Sequence, residues 1–99
     1  MAYKGSDLDP TFKAFFRTQK SRITKHLKSL GCTEIKIDYG FHFYSGFFTS
    51  ASGQVYYFST TDCRMKHEIY YRTAKDYKDY TGGHNVWIDP YKLSDIKLK

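Results

Sequence analysis

The hydrophobic positions of this chain change their period once, close to Gly31. Asp9 is a suitable helix N-cap, Pro10 suits the first helical position, and Gly31 is a typical helix stop. Between Pro10 and Gly31 the apolar residues recur at the spacing of one helical face, at Phe12, Phe15, Phe16, Ile23, Leu27 and Leu30. The pattern predicts one amphipathic helix.

After Gly31, apolar and polar residues alternate with period two, which is typical of half-buried strands. Ile35, Ile37 and Tyr39 alternate with charged residues in the first predicted strand. Residues 50–53 (SASG) predict a hairpin turn, and residues 74–80 a short helix or an ordered loop. Further strands are predicted at residues 41–49, 54–59 and 68–73, with an edge strand at residues 86–88.

These elements predict an α+β fold, with the N-terminal amphipathic helix packed on one face of a 4–5-stranded antiparallel sheet. We expect residues 9–99 to form a single domain and residues 1–8 a flexible arm. Cys32 and Cys63 belong to no paired motif, and no apolar run approaches the roughly 20 residues of a spanning helix. The expected setting is therefore the cytoplasm, with two free thiols and no membrane contact.

In the second and third predicted strands, aromatic residues occupy the positions that face each side of the sheet. One helix can cover only one of these sides. We expect the uncovered face to offer a stacking surface or a protein interface. Its predicted rings are Tyr44, Phe48, Tyr56 and Phe58, with Arg72, Lys75 and Lys78 at the rim for phosphates. The alternative is that these rings form only core and cross-strand pairs.

Charge changes the interpretation of the helix. The formal net charge is +6, and residues 10–31 hold six basic and no acidic residues, while the rest of the chain is balanced. Four of the six, which we call the basic ridge, fall within about a quarter of the helix circumference: Lys13, Arg17, Lys20 and Lys28. Such a ridge favours a phosphate backbone. A solvated helix or an acidic protein partner are the alternatives.

Residues 72–85 (RTAKDYKDYTGGHN) contain two consecutive glycines that allow close backbone approach. We predict an anion-binding loop there, formed by Thr81, Gly82, Gly83, His84 and Asn85. The alternative is an ordinary turn into the edge strand.

No pattern supports a metal site or a cofactor. The spacing of His42, His67 and His84 matches no zinc template. A small nuclease that uses Asp79, Tyr80 and His84 is the catalytic alternative, but we favour a protein without catalytic activity.

Residues 45–59 (SGFFTSASGQVYYFS) and 72–83 (RTAKDYKDYTGG) resemble segments of small proteins encoded by phages and other mobile elements. The resemblance spans residues 41–85, implies a protein of the host bacterial cytoplasm, and carries over no site residue. It favours two roles, handling nucleic acid or blocking a host defence complex. Our leading hypothesis is a nucleic-acid-binding protein, with single-stranded DNA or RNA favoured. The alternative is an anti-CRISPR-like inhibitor of a host protein or ribonucleoprotein, and a homodimer is a further expectation.

Overall fold

One helix and five strands follow one another in the order that the change of period predicts. The computed structural model describes residues 10–40, 42–80 and 84–98, with only the backbone of Pro10 and Thr11. The predicted arm, residues 1–8, lies outside these ranges. The elements are α1 (Pro10–Ser29), β1 (Thr33–Tyr39), β2 (Tyr44–Thr49), β3 (Val55–Thr60), β4 (Ile69–Thr73), β5 (Val86–Ile88) and a 3₁₀ turn (Leu93–Asp95).

The helix ends in the way that Gly31 predicts. Gly31 has a φ of 84°, and its N–H donates to the carbonyl of Lys28 at 3.0 Å. The Cys32 N–H donates to the carbonyl of Leu27, also at 3.0 Å. This pair of hydrogen bonds is a Schellman motif, which satisfies two helix-end carbonyls and turns the chain into β1.

The five strands form one antiparallel meander in the order β1-β2-β3-β4-β5, which confirms the α+β class. β2 begins at Tyr44, later than predicted, and residues 74–80 fold into bends and turns rather than a helix. The β1–β2 pairing contains a bulge between Thr33 and Lys36, where Glu34 has a φ of 52°. β1 and β5 are the two edges of the sheet.

The core lies between α1 and one face of the sheet. Four helix residues are buried there, namely Phe12, Phe16, Ile23 and Leu27. Facing them are the rings that we expected on the uncovered face: Tyr44, Phe48, Tyr56 and Phe58, between 0% and 3% exposed. Their assignment to an exposed stacking surface is therefore wrong, because α1 covers this face.

Gly46 explains why the side of β2 that carries Tyr44 and Phe48 faces the helix. It lies between Tyr44 and Phe48 on the covered face and pairs with Phe58. A Cβ at Gly46 would stand 2.1 Å from the Lys36 carbonyl oxygen and 2.9 Å from Cε1 of Phe58. The Lys36 carbonyl and the Phe58 ring therefore occupy the space that any larger residue would need, and close approach of backbone is a typical reason for glycine inside a strand.

Candidate functional site

All four residues of the basic ridge are exposed, and one of them, Lys20, lines a groove together with residues of β1. Lys20 passes over the Phe16 ring, with its Nζ 5.8 Å from the ring centroid. Within the described part of the chain, no ridge residue has a carboxylate within 4.0 Å. Lys25 is also exposed and extends the positive field. Among the residues that the structure describes, the four cations of the ridge thus have no ion-pair partner.

Arg22, the sixth basic residue of the helix, has a structural role. Its Nη1 donates to Oε1 of Gln19 at 2.5 Å, and its Nη2 donates to the carbonyl of Pro90 at 2.9 Å. Its guanidinium also lies 4.9 Å from the centroid of the Tyr91 ring. These contacts attach the far side of α1 to the C-terminal segment. They restrict the rotation of the helix, and Lys20 of the basic ridge lies at the β1 edge.

The second face of the sheet is partly covered by residues 74–80, which we call the strap. The Tyr77 hydroxyl donates to the carbonyl of Glu34 at 2.9 Å. Its oxygen is also 2.7 Å from Oγ1 of Thr49, whose hydroxyl is then the donor of that second bond. The rings of Tyr77 and Tyr80 lie 5.5 and 5.4 Å from the Phe47 ring. The strap therefore buries Phe47 on the face that α1 leaves open.

Arg72 holds the other end of the strap. Its side chain is only 4% exposed, and its Nη2 donates to the carbonyl of Asp79 at 2.8 Å. The guanidinium lies 4.7 Å from the centroid of the Tyr57 ring, and its Nη1 is 4.0 Å from Oδ2 of Asp79. The prediction that Arg72 contacts phosphate at a rim is wrong, because its donors and its charge are used inside the fold. Lys75 and Lys78 are exposed.

Starting from Tyr80 at the end of the strap, the open face carries a continuous line of rings that we call the aromatic row: Tyr80, Tyr57, Tyr70 and Trp87. Successive ring centroids are 5.7, 6.4 and 5.0 Å apart. Tyr80 and Trp87, at the two ends, are 66% and 53% exposed. Sequence reasoning missed this set because it assigned the opposite phase of β2 and β3 to the open face. Gly46 was the signal that could have identified the correct phase.

A groove at the β1 edge joins the aromatic row to the basic ridge. Lys20 of the ridge and Tyr80 of the row both line it. Lys36, which pairs with Phe47 across the strands, lies between them in the same groove. The groove also contains the carboxylate of Asp38, whose Oδ1 accepts a hydrogen bond from the Tyr39 N–H at 2.8 Å. The two surfaces are thus continuous around one edge of the sheet.

The predicted anion-binding loop is only partly described. Thr81, Gly82 and Gly83 lie outside the described residues, whereas His84 and Asn85 are exposed. Of the residues proposed for a nuclease, Asp79 is already engaged, since its Oδ2 accepts the Lys75 N–H at 3.0 Å. Its carbonyl also accepts the hydrogen bond from Arg72.

The most polar part of the core is a buried tyrosine–histidine pair on the helix side. The Tyr44 hydroxyl and Nε2 of His67 are 2.6 Å apart. Burial lowers the pKa of His67 to about 4 and raises the pKa of Tyr44. Burial also raises the pKa of Cys63, which has no exposed surface. A neutral, inaccessible thiol is a poor nucleophile, so this cluster belongs to the core.

No group of three or more histidine, cysteine or acidic side chains suited to a metal ion occurs within residues 10–40, 42–80 and 84–98. Over the same ranges, no helix has both the length and the apolar character needed to cross a membrane. Comparison of the chain with protein-family models, with curated proteins and with solved structures finds no match in any of the three. Functional inference therefore rests on the surfaces themselves.

Proposed function

We propose that this protein binds nucleic acid, with the basic ridge of α1 lying along the phosphate backbone. One observation carries the proposal. Over the 20 residues of α1 the cations stand exposed on one side, while the helix contains no acidic residue. Each phosphate that such a ridge neutralises releases condensed counterions, which favours binding at moderate salt.

Helix stability does not account for the ridge. Cations stabilise the last turn of a helix, and Lys28 lies there. Lys13 lies in the first turn, next to the positive end of the helix dipole, and α1 itself has no acidic residue in that turn to offset it. A cation at this end opposes the dipole, so its presence is better explained by an external anion.

The salt dependence of binding tests the proposal. A labelled 20-nucleotide strand and a duplex of equal length would be titrated by fluorescence anisotropy at several NaCl concentrations. For the double variant Lys13→Gln/Lys20→Gln, we expect the slope of log K against log[salt] to fall by about 1.4–1.8, which corresponds to two lost phosphate contacts. At 0.1 M salt this is a loss of roughly 30-fold in affinity.

Lys92→Gln/Lys97→Gln is the matched control, because it removes the same charge from two exposed lysines away from the ridge. The control should keep the wild-type slope. An equal fall for both double variants would mean that only net charge matters. Binding that is absent or independent of salt would reject the proposal.

A second candidate function rests on a different observation. Val86 and Trp87, the latter at one end of the aromatic row, are large, exposed apolar residues, and aromatic side chains are enriched in protein interfaces. On this basis the protein would inhibit a host protein or ribonucleoprotein. Capture from host lysate that survives nuclease treatment and is lost in Trp87→Ala would support this function over nucleic-acid binding.

A further inference from the structure

We propose that the aromatic row is a stacking platform for unpaired bases, which makes single-stranded nucleic acid the ligand class of this protein. This inference rests on the proposed function and adds a second contact surface to the ridge. Every base has a flat π-face, so a line of rings with exposed ends, Tyr80 and Trp87, and half-buried rings between them can hold a single strand with little dependence on sequence.

The rings of the row are held in place before any ligand arrives. Tyr57 lies between the Arg72 guanidinium, 4.7 Å from its centroid, and the rings of Tyr70 and Tyr80. Tyr70 in turn lies between Tyr57 and Trp87. The three ring pairs are T-shaped or tilted, with interplanar angles of 78°, 58° and 55°. Rings that already pack on one another in this way lose little side-chain entropy when a base stacks on them. The row is therefore preorganised along its length.

The charges around the row favour a nucleic-acid strand over an apolar protein surface. Tyr80, at one end of the row, opens into the groove that also contains Lys36 and Lys20. A strand whose bases stack on the row can pass its phosphates through this groove to the basic ridge. Lys75 and Lys78 of the strap are exposed nearby and add positive charge on the same side.

The same geometry distinguishes single strands from duplexes. In a duplex the base faces are covered by their stacked neighbours, so only the phosphates are available. A duplex can therefore use the ridge but not the row. The predicted preference for single strands comes from the rings, whereas the salt dependence comes from the lysines and the arginine.

Trp87 makes the test direct, because it is the only tryptophan of the chain. We expect its fluorescence to be quenched when a 20-nucleotide oligothymidylate binds, and to change little when a duplex of the same length binds. Tyr80→Leu should weaken binding of the single strand by roughly 5-fold or more, which corresponds to the loss of one stacked base. Duplex binding should stay within twofold of the wild type.

Tyr80→Phe is the matched control, since it keeps the ring and removes only the hydroxyl. It should bind the single strand as the wild type does, and Trp87 emission in the absence of ligand reports whether each variant keeps the fold around the row. If Tyr80→Leu binds both ligands normally while Lys13→Gln/Lys20→Gln weakens both, the row is not a binding surface and the proposed function stands. If the wild-type protein binds neither ligand, the proposed function fails and this inference fails with it.

Discussion

The two faces of the sheet carry similar aromatic residues but bury them very differently. On the covered face, Tyr44 and Phe48 lie under α1 and are at most 1% exposed. On the open face, Tyr80 and Trp87 are more than half exposed, and among the described aromatic residues of this face only Phe47 is buried, beneath the strap. The difference shows that ring content does not determine the role of a sheet face. The element that packs over the face determines it.

The two faces also differ in how they are held. The covered face is closed by apolar packing, with Phe48 and Tyr56 stacked at 5.4 Å and nearly parallel at 10°. The strap on the open face is attached by hydrogen bonds at its two ends, through Tyr77 and Arg72. Apolar packing and hydrogen bonds contribute different amounts to the free energy of unfolding. Substitutions on each face can therefore test the comparison.

Truncation in the covered face should have the largest effect. Phe48→Ala removes a ring that is 1% exposed, and we expect it to lower the free energy of unfolding by about 3–5 kcal/mol. Tyr70→Ala on the open face should cost less than about 1 kcal/mol, because its neighbours already contact water. Urea denaturation followed by circular dichroism measures both values. Comparable losses in the two variants would contradict the distinction between the faces.

The second largest effect is expected from acid, which should destabilise the covered face by protonating His67. Its pKa is about 4 in the folded protein and about 6.5 in the unfolded chain, because burial disfavours the charged form. Below pH 6.5 the unfolded state binds a proton that the folded state does not, so stability falls as the pH falls. The loss should reach roughly 3 kcal/mol near pH 4 and then level off. Denaturation midpoints measured from pH 7 to pH 4 give the curve.

His67→Gln is the control for this acid effect, because glutamine retains a polar group beside Tyr44 but does not titrate. In this variant the fall between pH 6.5 and pH 4 should disappear, whatever its stability at pH 7. Asp62 titrates in a separate pH range. Its hydrogen bonds from Arg64 lower its pKa from 3.8 to about 2, so its contribution is lost only below pH 4. A wild-type curve that is flat down to pH 4 would show that His67 is not buried in its neutral form.

The sequence was sufficient for the fold class and for the ridge, because both follow from periodicity. Apolar spacing located α1, and Gly31 located its end. The same spacing placed the lysines and Arg17 on one side of the helix. Periodicity could not decide which phase of β2 and β3 faces α1, since both phases carry rings. That choice depends on the tertiary fit of Phe58 against Gly46.

The strap could not be predicted either, and it changes the site. Residues 72–80 contain basic and aromatic side chains that are as typical of a solvated loop as of a segment packed on the sheet. Burial of Arg72 depends on a carbonyl seven residues ahead of it and on the Tyr57 ring across the strands. Local sequence does not specify such contacts, so a cation that was expected at the surface forms part of the framework of the open face.

A smaller effect than those of Phe48→Ala and of acid is predicted for this strap. Tyr77→Phe removes a hydroxyl that bonds both the Glu34 carbonyl and Oγ1 of Thr49, while the ring packing on Phe47 is kept. At about 0.5–1.5 kcal/mol for each of the two hydrogen bonds, we expect a loss of roughly 1–3 kcal/mol in the free energy of unfolding. Faster hydrogen exchange should be confined to the strap and the bulge in β1, because the covered face is untouched.

Tyr80→Phe is the matched control, since the Tyr80 hydroxyl makes no hydrogen bond within the described ranges, and it should change stability by less than about 0.5 kcal/mol. Equal losses for the two variants would mean that ring packing, rather than the hydroxyl of Tyr77, holds the strap on the open face.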